Sequence, residues 1–325
     1  MKNKYQDNKE MQNDKNKKLQ PYVVVLVLSY DGKHLLEEAI PSYLVNDYTN
    51  FVIVVIDNGS KDGTKEWLKK NYPQVKVLRT EKNLGYSGGF NFGLKYAFDE
   101  QNADYVLITN NDVKADSKMI SALVETAVTD YKIGFTIGKT YLYGNPTVLQ
   151  SVGRGEDPIN WHSQHIGFNE VDNGQYDKIE ERPFCDDIHW LVNRKVYEKT
   201  GAYDTNFRFN AEDFDWQVRA KQAGFKIYFT PYAKIWHKYS ATIGKNSSFR
   251  LYYDFRNLSI VIMKYREIDF IKKHLRSKLD DLLWLSFKNI LKLKWMHVIR
   301  AWAGFLSAVF WGFKNNKLSL GKLFL

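Results

Sequence analysis

The chain has 325 residues, 44% of them hydrophobic and 15% aromatic, enough to bury a large core in one main domain with an appendage. Its 47 Lys and Arg against 37 Asp and Glu leave a formal charge of +10, so a polyanionic neighbour is expected: phosphate-bearing substrates, an anionic membrane surface or nucleic acid. The single cysteine, Cys185, excludes an internal disulfide, and with no reactive-cysteine motif around it reads as a small core residue.

Residues 1–20 are rich in Lys, Asn, Gln and Asp, lack the apolar stretch of a signal core, and read as a disordered basic tail. Residues 22–29 (YVVVLVLS) form an apolar, β-branched run, as expected of a strand buried on both faces. A helix is expected over 33–45, a second buried strand over 51–57 (FVIVVID), and a helix from Gly63 toward Lys70. A short third strand follows at 75–78. A glycine-rich loop at 85–89 then leads into a helix ending near Asp99, and residues 105–109 (YVLIT) form a fourth strand ending in Asn110, Asn111 and Asp112. This alternation predicts an α/β fold whose mostly parallel central sheet is flanked by helices. Residues 140–185 have weak periodicity and read as loops and short strands. Pattern returns at 187–201, a helix spans 212–224 and closes on Gly224, and a strand at 226–230 is expected to stop at Pro231.

From Arg250 onward the chain reads as long helices. No Asp or Glu follows Asp281, while Lys288, Lys292, Lys294, Arg300, Lys314, Lys317 and Lys322 are interleaved with Trp284, Trp295, Trp302 and Trp311. That pattern suits a helix lying in the plane of a membrane surface; the alternative is a helical subdomain with a solvated basic face. The nearest candidate for a membrane span, 296–313, is interrupted by His297 and Arg300.

Three polar clusters fall at strand ends: Ser29, Tyr30 and Asp31; Asp57, Asn58, Gly59 and Ser60; and Asn110, Asn111 and Asp112. Ligands of such sheets sit beyond the carboxyl ends of the strands. A carboxylate at Asp112 can hold a hard divalent cation bridging a diphosphate, and Asp57 can accept from a nucleobase or ribose; each can also be plain turn chemistry. The stretch 83–93 (NLGYSGGFNFG) can bring backbone close to a phosphate or sugar, though it is neither a P-loop nor a GxGxxG fingerprint. Glu212 and Asp213 enter a helix, where they complement its dipole or supply a general base. His237 is a structural histidine or a metal ligand, with Lys238 adding positive charge beside it.

Taken in order, VVLVLSYDG at 24–32, VVIDNGSKDGT at 54–64, NLGYSGGFNFG at 83–93, YVLITNNDV at 105–113, FNAEDFDW at 209–216, Trp236, His237 and Ser240, and YYDFRN at 252–257 resemble the inverting glycosyltransferase family two, with its GT-A fold and the look of bacterial rhamnosyl- and galactofuranosyltransferases. The resemblance implies that Ser29 and Asp31 border the nucleotide, that Asp57 holds its base or ribose, and that Gly88, Gly89 and Asn91 follow its ribose and phosphates. Asn110, Asn111 and Asp112 occupy the place of the DxD motif, with Asp112 and His237 as ligands of Mg²⁺ or Mn²⁺. Asp213 is then the catalytic base of the xED motif and Glu212 places the acceptor. Two departures stand out: Asn110 replaces the first Asp, and Asp187, Ile188, His189 and Trp190 precede Leu191 where the family often has Gly-Ala. Trp190 and His189 then shape the acceptor pocket or pack in the core.

The implied organisation is a tail (1–20), a GT-A domain (21–257) and a basic, Trp-rich helical region (258–325). The implied reaction moves a sugar from a UDP- or dTDP-linked donor to a saccharide or lipid-linked saccharide in bacterial surface polysaccharide or glycolipid synthesis, in the cytoplasm, with the inner face of the membrane as a peripheral location. A polyprenyl-phosphate sugar transferase and a non-catalytic carbohydrate- or nucleotide-binding module remain alternatives. Nucleic acid is set aside, because the charge gathers at both ends and not in a recognised module.

Overall fold

A computed structural model describes residues 20–238, 248–290, 292–319 and 321; the expected basic tail, except Gln20, lies outside the described residues, as does Ser240. The first two apolar runs form β1 (Val23–Ser29) and β2 (Phe51–Asp57), parallel and in register from Val23 opposite Phe51 to Ser29 opposite Asp57. Both strands therefore end on one rim. Helix α1 (Lys33–Leu44) links them, and α2 (Thr64–Asn71) leads to β3 (Lys76–Arg79), parallel to β2. Helix α3 (Gly85–Lys95) runs into one π-helical turn at Tyr96–Glu100 and returns the chain to β4 (Tyr105–Thr109), parallel to β1 on its other side.

After β5 (Val113–Ala115) and α4 (Met119–Ala127) come β6 (Ile133–Leu142), β7 (Asn145–Ser151), a hairpin of β8 (Arg154–Asp157) and β9 (Trp161–His165), and the two-residue β10 (Glu180–Glu181). The chain re-enters the sheet as β11 (His189–Asn193), followed by α5 (Arg194–Thr200), α6 (Glu212–Gln222) and β12 (Lys226–His237). Among the described residues the main sheet has ten strands in the order β10-β12-β6-β11-β4-β1-β2-β3, with β5 on β12 and β7 on β6. Strand β11 is antiparallel to both β4 and β6. Alternating side chains of β1 feed two cores: Val23, Val25 and Val27 pack on α1, and Val24 and Leu26 on α3. Within β1 the apolar run leaves the polar residues to the strand end.

Three expectations change. Gly85 to Gly89 are not a loop but the first turn and a half of α3. Gly89 and Gly93 are glycine because the helix lies against the sheet: a Cβ at Gly89 would stand 2.5 Å from Leu28 Cδ1, and one at Gly93 2.4 Å from Ile56 Cδ1. Pro231 does not stop its strand; β12 continues to His237 with a register shift between Phe229 and Lys234, where an irregular strand tolerates a residue lacking an N–H. The helical region starts before residue 258, since α7 (Ser248–Tyr265) crosses that boundary.

Helices α8 (Ile268–Ile290) and α9 (Trp295–Lys314) complete the appendage. Gly304 allows α9 to touch α7, since a Cβ there would lie 2.1 Å from the Tyr252 carbonyl. Among the described residues no helix is long and apolar enough to cross a membrane.

Candidate active site

The rim where β1, β2 and β4 end gathers the expected polar residues. Asn111 donates from Nδ2 to Ser29 Oγ at 3.3 Å, and the Asn58 N–H donates to the Ser29 carbonyl at 2.8 Å. Asp31, in a left-handed conformation (φ 49°), accepts from the Lys61 N–H at 2.6 Å, while its own N–H donates to Ser60 Oγ at 3.0 Å. Asn58 clamps the start of α3: its Oδ1 accepts from the Leu84 N–H at 3.0 Å and its Nδ2 donates to the Gly85 carbonyl at 3.0 Å. The rim thus holds the N-terminus of α3 beside the ends of β1 and β2, where helix N–H groups favour an anion.

Two residues expected to face the nucleotide do not. Asp57 is fully buried and engaged, accepting from the Ser60 N–H at 3.0 Å and pairing with Arg79; it presents Arg79 to the rim and offers no open carboxylate itself. Asn91 spends its amide on the chain, donating to the Tyr203 carbonyl at 2.8 Å and accepting from its N–H at 3.0 Å. Gly89 is buried against β1, whereas Gly88 is partly exposed on the first turns of α3.

Beyond β4, Asp112 and His237 meet although 125 residues separate them. His237 Nε2 lies 3.1 Å from Asp112 Oδ1, and both residues are buried. Strand pairing makes the contact: His237 is in register with Val113, and the Lys238 N–H donates to the Asp112 carbonyl at 2.9 Å. His237 Nδ1 lies 2.9 Å from Gln150 Oε1, an acceptor that a proton on Nδ1 would satisfy, so the ring can turn Nε2 toward Asp112. In that tautomer the two side chains fit a shared hard divalent cation. Among the described residues no three His, Cys, Asp or Glu side chains group as a metal site, so such an ion would depend on ligands from the substrate. Lys238 is committed elsewhere, with its Nζ 2.8 Å from Glu38.

On the other side of the rim, Asp213 stands on the first turn of α6 in a cleft of about 260 Å³, lined also by Arg154, His162, Cys185, Arg250, Asp254 and Lys278. It is partly exposed. Burial and the nearby Asp186 carboxylate push its carboxyl up to about 6, against the pull of Arg154. Asp187 is pushed well above the ordinary carboxylate range, first by burial and then by Asp213 and Asp186, and Glu212 likewise by burial, Asp187 and Asp213. Asp186 goes the other way: against the cost of burial, Arg154 (2.6 Å) and His165 (3.1 Å) hold it well below that range. The environment therefore leaves Asp213 as the carboxyl poised to gain or lose a proton nearest neutrality. One buried oxygen of Glu212, Oε2, has no hydrogen-bond partner among the described residues.

The loop before Asp213 is strained. Asn210 and Ala211 both adopt positive φ, 66° and 70°, which non-glycine residues rarely do in succession. The motif at 252–257 holds it there: Asn257 donates to the carbonyls of Phe209 and Asn210, and Asn210 donates to Asp254. One residue joins the two sides of the rim. The Tyr86 hydroxyl lies 3.5 Å from both Asn110 Oδ1 and the Asp187 carbonyl, and the Tyr203 hydroxyl donates to Asp187 Oδ2 at 3.2 Å.

Residues 24–201 match the model of "Glycosyl transferase family 2", more than half of the chain. The chain belongs to this family. Its relatives include the low-salt glycan biosynthesis hexosyltransferase Agl10 of Haloferax volcanii, 24% identical over 63% of this chain and 64% of that protein. Another is the N-acetylglucosaminyl-diphospho-decaprenol L-rhamnosyltransferase of Mycobacterium tuberculosis, 25% identical over 70% of this chain and 79% of that protein. The chain thus spans less than two thirds of the length of Agl10. Solved structures of the same fold include GalNAc-T7 with UDP, GalNAc and Mn²⁺ (TM-score 0.62, 15% identity, 93% of this chain and 59% of that one). Residues 1–349 of Staphylococcus aureus TarS also match (TM-score 0.56, 17% identity, 89% and 81%). The family's GT-A architecture is the one described above.

Within this family-2 site, Trp190 is not an acceptor-pocket residue. It is fully buried, stacked on Phe135 with centroids 4.6 Å apart and edge-on to Trp216, and its indole N–H has no partner among the described residues. His189 is buried too: it accepts from the Gly138 N–H at 3.1 Å, and burial pushes its ring down to about 3. The acidic residue of that segment is Asp187, which contacts the hydroxyls of Tyr86 and Tyr203. Asp186, Arg154, Tyr86 and Tyr203 also belong to the site and were not singled out from sequence. The only signal was an acidic pair, Asp186 and Asp187, directly before an apolar strand. Cys185 is buried, with its thiol pushed well above the ordinary range by burial and the nearby carboxylates, as suits a core residue.

Proposed function

We propose that the chain is an inverting glycosyltransferase that moves a sugar from a UDP- or dTDP-linked donor to a hydroxyl of a saccharide or lipid-linked saccharide in surface-glycan synthesis. The single observation that carries this is the link, through Tyr86, of Asn110 with Asp187, two residues beyond Cys185, which lines the cleft that holds Asp213. A donor diphosphate on one side and an acceptor hydroxyl on the other would then be held together, which removes much of the entropic cost of a two-substrate reaction.

In this reading the α3 N-terminus, Ser29, Asp31 and Arg79 bound the nucleotide. Asp112 and His237 would hold Mg²⁺ or Mn²⁺, which when bound neutralises charge on the leaving diphosphate. Asp213 takes the proton of the acceptor hydroxyl as that oxygen attacks the anomeric carbon; the bond to the diphosphate breaks and the configuration inverts. Asp187 and Glu212 are available as hydrogen-bond partners for sugar hydroxyls, and Oε2 of Glu212 lacks a partner among the described residues. The raised pKa of Asp213 favours a transferase over a passive binding module, which has no need of a poised base.

The test is a transfer assay with a panel of nucleotide sugars, Mn²⁺ and saccharide acceptors, with the product's anomeric configuration read by NMR. Product of inverted configuration supports the reading; retention, or no turnover with any donor that binds, refutes it.

A further inference from the structure

We propose that the open apolar face of α8 and α9 docks on an anionic lipid bilayer and lies in the plane of its headgroups. This rests on the transferase reading above for its purpose, though not for its geometry. On α9, Met296, Ile299, Leu306, Phe310 and Phe313 recur at spacings that place them on one exposed stripe, with Phe310 70% exposed. On α8, Leu283, Trp284 and Phe287 are exposed, the last two by 66% and 61%, and Leu293 and Trp295 continue the surface between the helices. The opposite side of α9 is spent: Ala301, Phe305 and Ala308 are buried, and Gly304 is pressed against α7. The stripe cannot turn inward, and a soluble surface has no reason to carry so long an apolar row.

Charge selects the occupant. No carboxylate follows Asp281 in the chain, and Lys288, Lys292, Lys294, Arg300, Lys314 and Lys317 are exposed around the stripe. A second copy of this face would bring those cations against their own kind, with only Asp280 and Asp281 of α8 to pair them, whereas helix pairing relies on complementary flanking charges. Anionic headgroups supply the missing charge, and tryptophan suits the interface. The surface also lies close to the acceptor cleft. Lys278 lines the cleft with Asp213, and Trp284 is six residues further along the same helix, about 9 Å at the helical rise. A bilayer on this face would hold the sugar of a lipid-linked acceptor near the base.

The test is co-sedimentation of the full chain with vesicles of phosphatidylcholine alone and of phosphatidylcholine mixed with phosphatidylglycerol. Binding to the mixed vesicles only, weakened by salt and accompanied by a blue shift of tryptophan emission, is expected. The double variant Phe287→Ser with Phe310→Ser should lose at least tenfold in vesicle affinity, with an unchanged melting temperature and unchanged transfer to a water-soluble acceptor. Lys288→Glu with Lys314→Glu should weaken binding to the anionic vesicles. No binding by the parent chain overturns the proposal, as does a dimer that dissociates on Phe310→Ser while vesicles are ignored. Vesicle binding without transfer to any acceptor leaves the docking intact and refutes the catalytic reading instead.

Discussion

Asn257 Nδ2 donates to the Asn210 carbonyl at 2.9 Å, and so ties the first appendage helix to the strained loop that presents Asp213. The neighbouring Phe209 carbonyl takes the same amide at 2.8 Å. The appendage is therefore part of the active-site scaffold, since without it two consecutive left-handed residues would have little to hold them. Asn257→Ala leaves two part-buried carbonyls without their donor. A loss of about 1–3 kcal/mol in unfolding free energy is expected, together with a lower kcat at unchanged donor affinity. Denaturant unfolding and steady-state kinetics check this; unchanged kcat would show that the loop holds itself.

Asp213→Asn should lower kcat by about 10²–10⁴, the usual worth of a positioned base, while donor binding measured by calorimetry stays nearly intact. Wild-type turnover in this variant would reject Asp213 as the base.

The pH dependence follows from the same residue. A base acts in its ionised form, so kcat/KM should rise with pH through about 6 and level off above it. Asp186 raises that midpoint by its charge and also occupies Arg154, which lowers it. Asp186→Asn removes the first effect and releases Arg154, and both changes move the acid limb to lower pH. A limb that stays in place would mean that another group titrates.

Asp112→Ala should weaken Mn²⁺-dependent nucleotide binding by more than tenfold, while metal-free binding stays as it was. Gln150→Ala, which removes the partner that orients His237, should cost about 10–100-fold by the same measure. Equal affinities with and without metal in the parent chain would remove the cation from the site.

Trp190→Phe should leave the acceptor KM unchanged and reduce stability by no more than about 3 kcal/mol, as expected of an imperfect core replacement. A selective rise in acceptor KM would return Trp190 to the acceptor pocket.

The sequence determined the frame of the donor side. The β-branched runs of β1, β2 and β4 have one buried solution, and their ends carry Ser29, Asp31 and Asp112 onto one rim. It also marked Asp213, at the start of a strongly patterned helix, and the absence of acids beyond Asp281. Strand β6 was not legible, because its buried positions include Gly134, Thr136, Gly138 and Lys139, the last neutralised by Asp172 and Asp177 from a distant loop. The Asp186–Arg154 pair, which sets the environment of the base, joins positions 32 residues apart in a region without periodicity.

Only the tertiary structure decided which neighbours in the 187–190 segment are sealed into the core. Strand β11 begins at His189 and lies between β4 and β6, so Trp190 is sealed into the core while Asp187, just before the strand, remains at the rim. The same holds for Asp57, whose type suited a ligand contact but whose carboxylate Arg79 and Ser60 had already taken. Residue type and order set which groups reach the rim; register and ion pairing between distant segments set which of them are open to a substrate.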